Sequence, residues 1–151
     1  MVVVAFGSNI GDRERYIREA AKHVGAFVSN FRLSSIIETA PVGPGTERDP
    51  PYLNAVGVGE CGLDAREVLQ RLQAIEKAAG RARPYPNAPR TLDLDLVLLG
   101  ETEIDEVDLQ VPHPRFRERR FVLGPLTELA PDLRDPVTGL KARDLLARLA
   151  D

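Results

Sequence analysis

The stretch Leu92-Asp93-Leu94-Asp95-Leu96-Val97-Leu98-Leu99 restricts the fold more sharply than any other part of the chain. A short apolar run that stops at a glycine, here Gly100, predicts a strand. Successive side chains on a strand point to opposite faces, so Leu92, Leu94 and Leu96 share one face while Asp93 and Asp95 share the other, about 6–7 Å apart along the chain. The leucine face needs a core. The aspartate face cannot be dry, because two carboxylates there would meet desolvation and mutual repulsion together. A divalent cation relieves both, and magnesium typically takes one or two carboxylates together with substrate phosphates. The competing reading is a solvated face whose aspartates pair with arginines. Arg90 just before the strand, with Arg81 and Arg83 in the preceding loop, supplies fixed cations beside the candidate metal ligands. Metal on one side and guanidinium on the other is how a site handles a polyphosphate.

The rest of the chain predicts the elements around this strand. Val2 to Phe6 reads as a buried strand ending at Gly7, and Asp12 as the cap of a helix from Arg13 to about Ala26 with Tyr16, Ile17, Ala20, Ala21 and Val24 at helical spacing. Phe31 to Thr39 predicts a second strand and Tyr52 to Cys61 a third. Asp64-Ala65-Arg66-Glu67 is a capping box for a helix to about Ala79, with Val68, Leu69, Leu72 and Ile75 as its inner stripe. Gly80 to Pro89 is a polar loop broken by proline, and two further helices are expected at Glu118–Leu129 and Ala142–Ala150. The order β-α-β-β-α-β predicts an α+β fold, a ferredoxin-like sandwich with additional C-terminal helices. With 151 residues and no internal repeat or linker, one domain over residues 1–151 is expected.

Composition enters as a set of exclusions. No run approaches the ~18 apolar residues of a membrane span. Met1 to Phe6 lacks the basic flank of a signal peptide, and a single cysteine, Cys61, forbids an internal disulfide, so a cytoplasmic location and no membrane partner are expected. A net charge of −3 argues against nucleic acid as a partner. RNA-binding versions of this fold stack bases on strand aromatics, whereas the strand here carries carboxylates. Of 20 basic residues only Lys22, Lys77 and Lys141 are lysines. The remainder are arginines, whose rigid fork suits carboxylates and phosphates. Neither a P-loop nor a GxGxxG turn is present, so phosphates would have to be held by arginines and metal.

Two further segments hold chemistry. In Val111-Pro112-His113-Pro114 the prolines keep His113 out of a helix, leaving it able to donate to a phosphate or to transfer a proton. Arg115, Arg117, Arg119 and Arg120 follow, and on a helix Arg115 and Arg119 would share a face. Thr39-Ala40-Pro41-Val42-Gly43-Pro44, followed by Tyr52-Leu53-Asn54, offers a stiff polar loop beside the two-sided amide of Asn54. Tyr52 and Phe121 are flat faces in a chain with three tyrosines, five phenylalanines and no tryptophan, and they suggest a slot for a planar heterocycle.

These residues resemble the 6-hydroxymethyl-7,8-dihydropterin pyrophosphokinase family. Four blocks carry the resemblance in the family's order: Phe6-Gly7-Ser8-Asn9-Ile10-Gly11-Asp12; Thr39 to Gly43 with Tyr52 to Val56; Pro89-Arg90-Thr91-Leu92-Asp93-Leu94-Asp95; and Val111 through Leu123. The resemblance implies a ferredoxin-like fold and transfer of the β,γ-diphosphoryl group of ATP to the hydroxymethyl oxygen of the pterin, releasing AMP. It implies that Asp93 and Asp95 bind two magnesium ions with ATP, that Asp95 contacts the attacking hydroxyl, and that Arg81 and Arg90 assist transfer. It assigns nucleotide contacts to Gln73, Glu76, Arg83, Leu96, His113 and Arg119. It gives the pterin Thr39, Ala40, Val42 and Asn54, with its ring between Tyr52 and Phe121. ATP and the pterin are then the expected partners of a monomer. The chain departs from the family at Asn87, where a tryptophan often stands and Tyr85 is the nearby alternative, and at Asp108, where some members place a basic contact.

Overall fold

The chain is described by a computed structural model covering residues 1–9, 11–40, 51–80 and 92–149. Strand β1 (Val2–Ser8) lies between β4 (Tyr52–Glu60) and β5 (Asp93–Leu99) and pairs antiparallel with both. The order across the main sheet is β2-β4-β1-β5, where β2 is Ser29–Leu33, and the short β3 (Ile37–Thr39) also pairs with β4. Every pairing among the described residues is antiparallel, and the fold is a mixed one of helices and sheet.

Both faces of this sheet are covered, which explains the near-continuous apolar run of β1. Val2, Val4 and Phe6 enter one core with Ile17, Ala20 and Val24 of α1 (Arg13–Gly25) and Val68 and Leu72 of α2 (Ala65–Ala78). Val3 points to a second core with Val56, Val58 and Phe116, closed by Val122, Leu123 and Leu126 of α3 (Arg120–Leu129) and Leu145 of α4 (Ala142–Arg148). Both predicted caps are made: the Asp12 carboxylate accepts from the Arg15 amide at 3.4 Å and the Asp64 carboxylate from the Glu67 amide at 2.9 Å. Among the described residues no helix is long and apolar enough to cross a membrane.

The single strand expected over Phe31 to Thr39 is two. Ser34 still donates its amide to the Val56 carbonyl at 2.8 Å, but its hydroxyl, not a backbone carbonyl, accepts the Val56 amide at 2.9 Å. A side chain in the place of a ladder acceptor ends β2, and the chain rejoins β4 only at Ile37. The expected C-terminal helix over Glu118–Leu129 begins instead with a 3-10 turn, Phe116–Glu118, before α3. A two-stranded hairpin, β6 (Ile104–Glu106) with β7 (Leu109–Val111), has no counterpart in the sequence reading, because strands of three residues are too short to show a period.

Phe116 is 1% exposed and anchors the arginine-rich segment to the second core. Phe116→Ala is expected to lower the unfolding free energy by about 3–5 kcal/mol, measured by urea denaturation.

Candidate functional site

The aspartate pair sits where β1 has its smallest side chains. Asp93 lies opposite Gly7 and Asp95 opposite Ala5, while Leu92, Leu94 and Leu96 enter the first core as the alternation requires. Further along, the register passes from Val4↔Leu96 to Val3↔Leu98, and both Val97 and Leu98 turn into the second core. This bulge confines the polar part of the face to the first three residues of β5.

Because Ala5 and Gly7 leave space above the sheet, a cavity of about 450 Å³ opens there, bordered by both aspartates. Gly7 is needed for closeness: a Cβ on it would lie 3.3 Å from Asn54 Oδ1 and 3.8 Å from Tyr52 Cδ1. One wall holds Thr39, Ala40, Tyr52 and Asn54. Asn54 is 7% exposed, and its amide donates to Thr39 Oγ1 at 2.6 Å, so the orientation of that amide is held by a partner. Arg115, Glu118, Arg119, Arg120 and Phe121 border the cavity as well. The Arg119 guanidinium lies 5.5 Å from the Phe121 ring centre, a cation over an aromatic face.

A second cavity, of about 230 Å³, shares Asp95 with the first and is bordered by Leu69, Leu96, Leu109 and His113. His113 donates its amide to the Val97 carbonyl at 2.9 Å, and its ring Nδ1 accepts the Arg115 amide at 3.2 Å. That bond puts the proton of the neutral ring on Nε2. Burial, aided by Arg119 and Arg115 against the pull of Asp93, pushes the His113 pKa down to about 4. The ring is therefore a neutral donor near pH 7. At the rim, Arg66 of α2 grips Asp108 through two bonds of 3.0 and 3.1 Å and also holds Glu106. This contact keeps the Asp108 carboxyl below its usual range.

Of the residues singled out in the sequence, Thr39, Ala40, Tyr52, Asn54, Asp93, Asp95, Arg119 and Phe121 border the larger cavity, and Leu96 and His113 the smaller. Gln73 is exposed on α2, outside the described lining of either cavity. Glu76 is 3% exposed, and its carboxylate accepts the Leu94 amide of β5 at 2.8 Å, tying α2 to the strand between the two aspartates. Val42, Arg81, Arg83 and Arg90 lie outside the described residues, as do Tyr85 and Asn87. Arg115 and Arg119 do converge, although a 3-10 turn and not a helix separates them. Ala5 and Gly7 also border the larger cavity, and the only sequence signal for them is their small size in an otherwise bulky strand.

Residues 3–131 match the family model described as 7,8-dihydro-6-hydroxymethylpterin-pyrophosphokinase. The 2-amino-4-hydroxy-6-hydroxymethyldihydropteridine pyrophosphokinase of Bacillus subtilis is 42% identical over 137 residues, 89% of this chain and 81% of its own length. The Pseudomonas aeruginosa protein of the same name is 40% identical over 149 residues, 97% of this chain and 90% of its own length. Among solved structures, wild-type Plasmodium falciparum HPPK-DHPS superposes with a TM-score of 0.74 at 14% identity, over 97% of this chain and 44% of that longer one. That last likeness is one of fold.

In the chain free of metal and nucleotide, an NMR titration is expected to give His113 a midpoint of about 4, with the Nε2–H tautomer above it. Between its ordinary 6.5 and about 4 the unfolded chain binds a proton that the folded chain does not. The stability from this site is therefore fully present above pH 6.5 and is lost as pH falls through about 4.

Proposed function

Because the chain belongs to the 7,8-dihydro-6-hydroxymethylpterin-pyrophosphokinase family, we propose that it transfers the β,γ-diphosphoryl group of ATP to 6-hydroxymethyl-7,8-dihydropterin. The observation that carries this reading is one cavity bordered by a carboxylate pair, by guanidiniums and by two aromatic rings. A phosphoryl acceptor that is a planar heterocycle needs all three.

In the reaction the hydroxymethyl oxygen attacks the β-phosphorus and forms a new P–O bond. The bond from that phosphorus to the oxygen of the α-phosphate breaks, AMP leaves with that oxygen, and the hydroxyl proton is released. Such transfers proceed in line and are accelerated mainly by positioning and by charge stabilisation. Tyr52 and Phe121 would take the pterin ring between them. Asn54, oriented by Thr39, would read its polar edge beside Ala40 and Val42. Asp95, which borders both cavities, would contact the attacking hydroxyl. His113 would donate its Nε2–H to a phosphate oxygen, with Arg83, Arg119, Gln73, Glu76 and Leu96 completing the nucleotide contacts. Arg81 and Arg90 would neutralise charge that develops during transfer.

Asp93 and Asp95 suit magnesium: two hard oxygen donors on one face of a strand, open to a cavity where substrate phosphates would supply further oxygens. Two magnesium ions bound there would offset phosphate charge and polarise the phosphoryl oxygens. The strand order β2-β4-β1-β5, with α1 and α2 on one face, supports the ferredoxin-like description of a single domain over residues 1–151. The same proposal includes action as a monomer on small molecules, in a cytoplasmic setting.

Incubation with MgATP and the pterin, followed by separation of nucleotides, is expected to yield AMP. ADP in its place would mean an ordinary kinase. Excess chelator is expected to stop the reaction and added magnesium to restore it. Asp93→Ala and Asp95→Ala are each expected to slow AMP formation by about 10²–10³-fold or more with the unfolding midpoint retained. Substantial turnover in both would overturn the metal role.

A further inference from the structure

Three of the four arginines between positions 115 and 120 border the larger cavity; Arg117 does not. It turns the other way and grips Asp135, Nε to Oδ2 at 2.5 Å and Nη2 to Oδ1 at 2.9 Å. The Asp135 side chain is fully buried, 0% exposed, against 25% for Arg117. Its oxygens also accept the Val137 amide at 3.0 Å and the Thr138 hydroxyl at 2.8 Å. The backbone closes the same turn: Asp135 donates to Leu140 at 2.9 Å and accepts from Gly139 at 2.8 Å. On its other side the Arg117 guanidinium lies 4.7 Å from the ring centre of Phe116. Arg117 is thus clamped between a core aromatic and a carboxylate whose own orientation is set by two further groups, the Val137 amide and the Thr138 hydroxyl.

Burying a carboxylate is costly, and apolar residues of similar volume commonly replace such pairs without loss of stability. What an apolar pair lacks is direction: a two-bond fork meets a carboxylate in one orientation only. Arg117 stands two residues from Arg115 and two from Arg119, in the middle of the segment that hands Arg119 and Phe121 to the cavity. We propose that Arg117 and Asp135 are positioning residues: the buried fork sets the roll of the segment from Arg115 to Phe121, so that Arg119 and Phe121 meet the substrates while Arg117 is withheld. This rests on the function proposed above and extends it to two residues that touch neither substrate.

Asp135→Asn keeps the shape and an acceptor oxygen but removes the charge. It is expected to raise KM for ATP and for the pterin about tenfold while kcat stays within about threefold, the pattern of lost ground-state binding. Amide hydrogen exchange over residues 115–121 is expected to quicken by about tenfold with the rest of α3 unchanged. The paired replacement Arg117→Met with Asp135→Leu is expected to restore the unfolding midpoint without restoring KM. Wild-type KM in Asp135→Asn, or KM that returns together with the midpoint in the paired variant, would overturn the proposal. Should Asp135→Asn not fold, Arg117→Lys, which keeps the charge without the fork, is judged by the same criteria. If the unaltered chain makes no AMP, the proposed function falls, and the positioning role is decided by exchange alone: unchanged protection over residues 115–121 would end it.

Discussion

The antiparallel pairing of β1 with β5 governs the rest of the molecule. It sets Gly7 against Asp93 and Ala5 against Asp95, so the one polar stretch of an otherwise apolar strand faces the smallest side chains of its neighbour. A sheet covered on both faces has no natural place for two carboxylates. Here the covering layer of α3 and α4 lies over the bulkier half of the sheet, over Val3, Val58, Val97 and Leu98, and the cavity opens beyond it. A slip of one residue would send both carboxylates into the first core and three leucines to the cavity.

Around that cavity, charge is managed by separation. The arginines from position 115 to the first residue of α3 divide their work: Arg115, Arg119 and Arg120 border the space above the aspartates, and Arg117 is committed to the buried Asp135. Burial opposes ionisation of Asp135, yet the Arg117 fork, the Thr138 hydroxyl and the Val137 amide hold its pKa below the usual carboxylate range. His113 is kept neutral by burial, with help from Arg119 and Arg115, so it adds a hydrogen-bond donor to the smaller cavity without adding charge. Asp95 borders both spaces.

Much of this was legible in the linear order of residues. The alternation of leucine and aspartate in β5, the capping residues Asp12 and Asp64, and the aromatic pair Tyr52 and Phe121 all carry local signals that survive folding. Other features gave none. Ser34 ends a strand by presenting its hydroxyl to the Val56 amide, a contact across 22 positions that no local pattern encodes. Glu76 occupies what periodicity takes for an ordinary helix position, and only the approach of β5 explains a carboxylate 3% exposed. Asp135 stands before a proline with no local pattern around it, and its buried role depends on where Arg117 arrives.

What the sequence alone determined is the set of elements, the two faces of β5 and the kinds of side chain available for chemistry, because strand and helix periods are properties of neighbouring residues. Only the tertiary structure decided which carboxylates share a cavity with which rings, which arginine faces inward, and which proton His113 keeps. Those outcomes depend on register between strands and on packing between distant segments, where the energy of a contact is set by the partner the fold delivers.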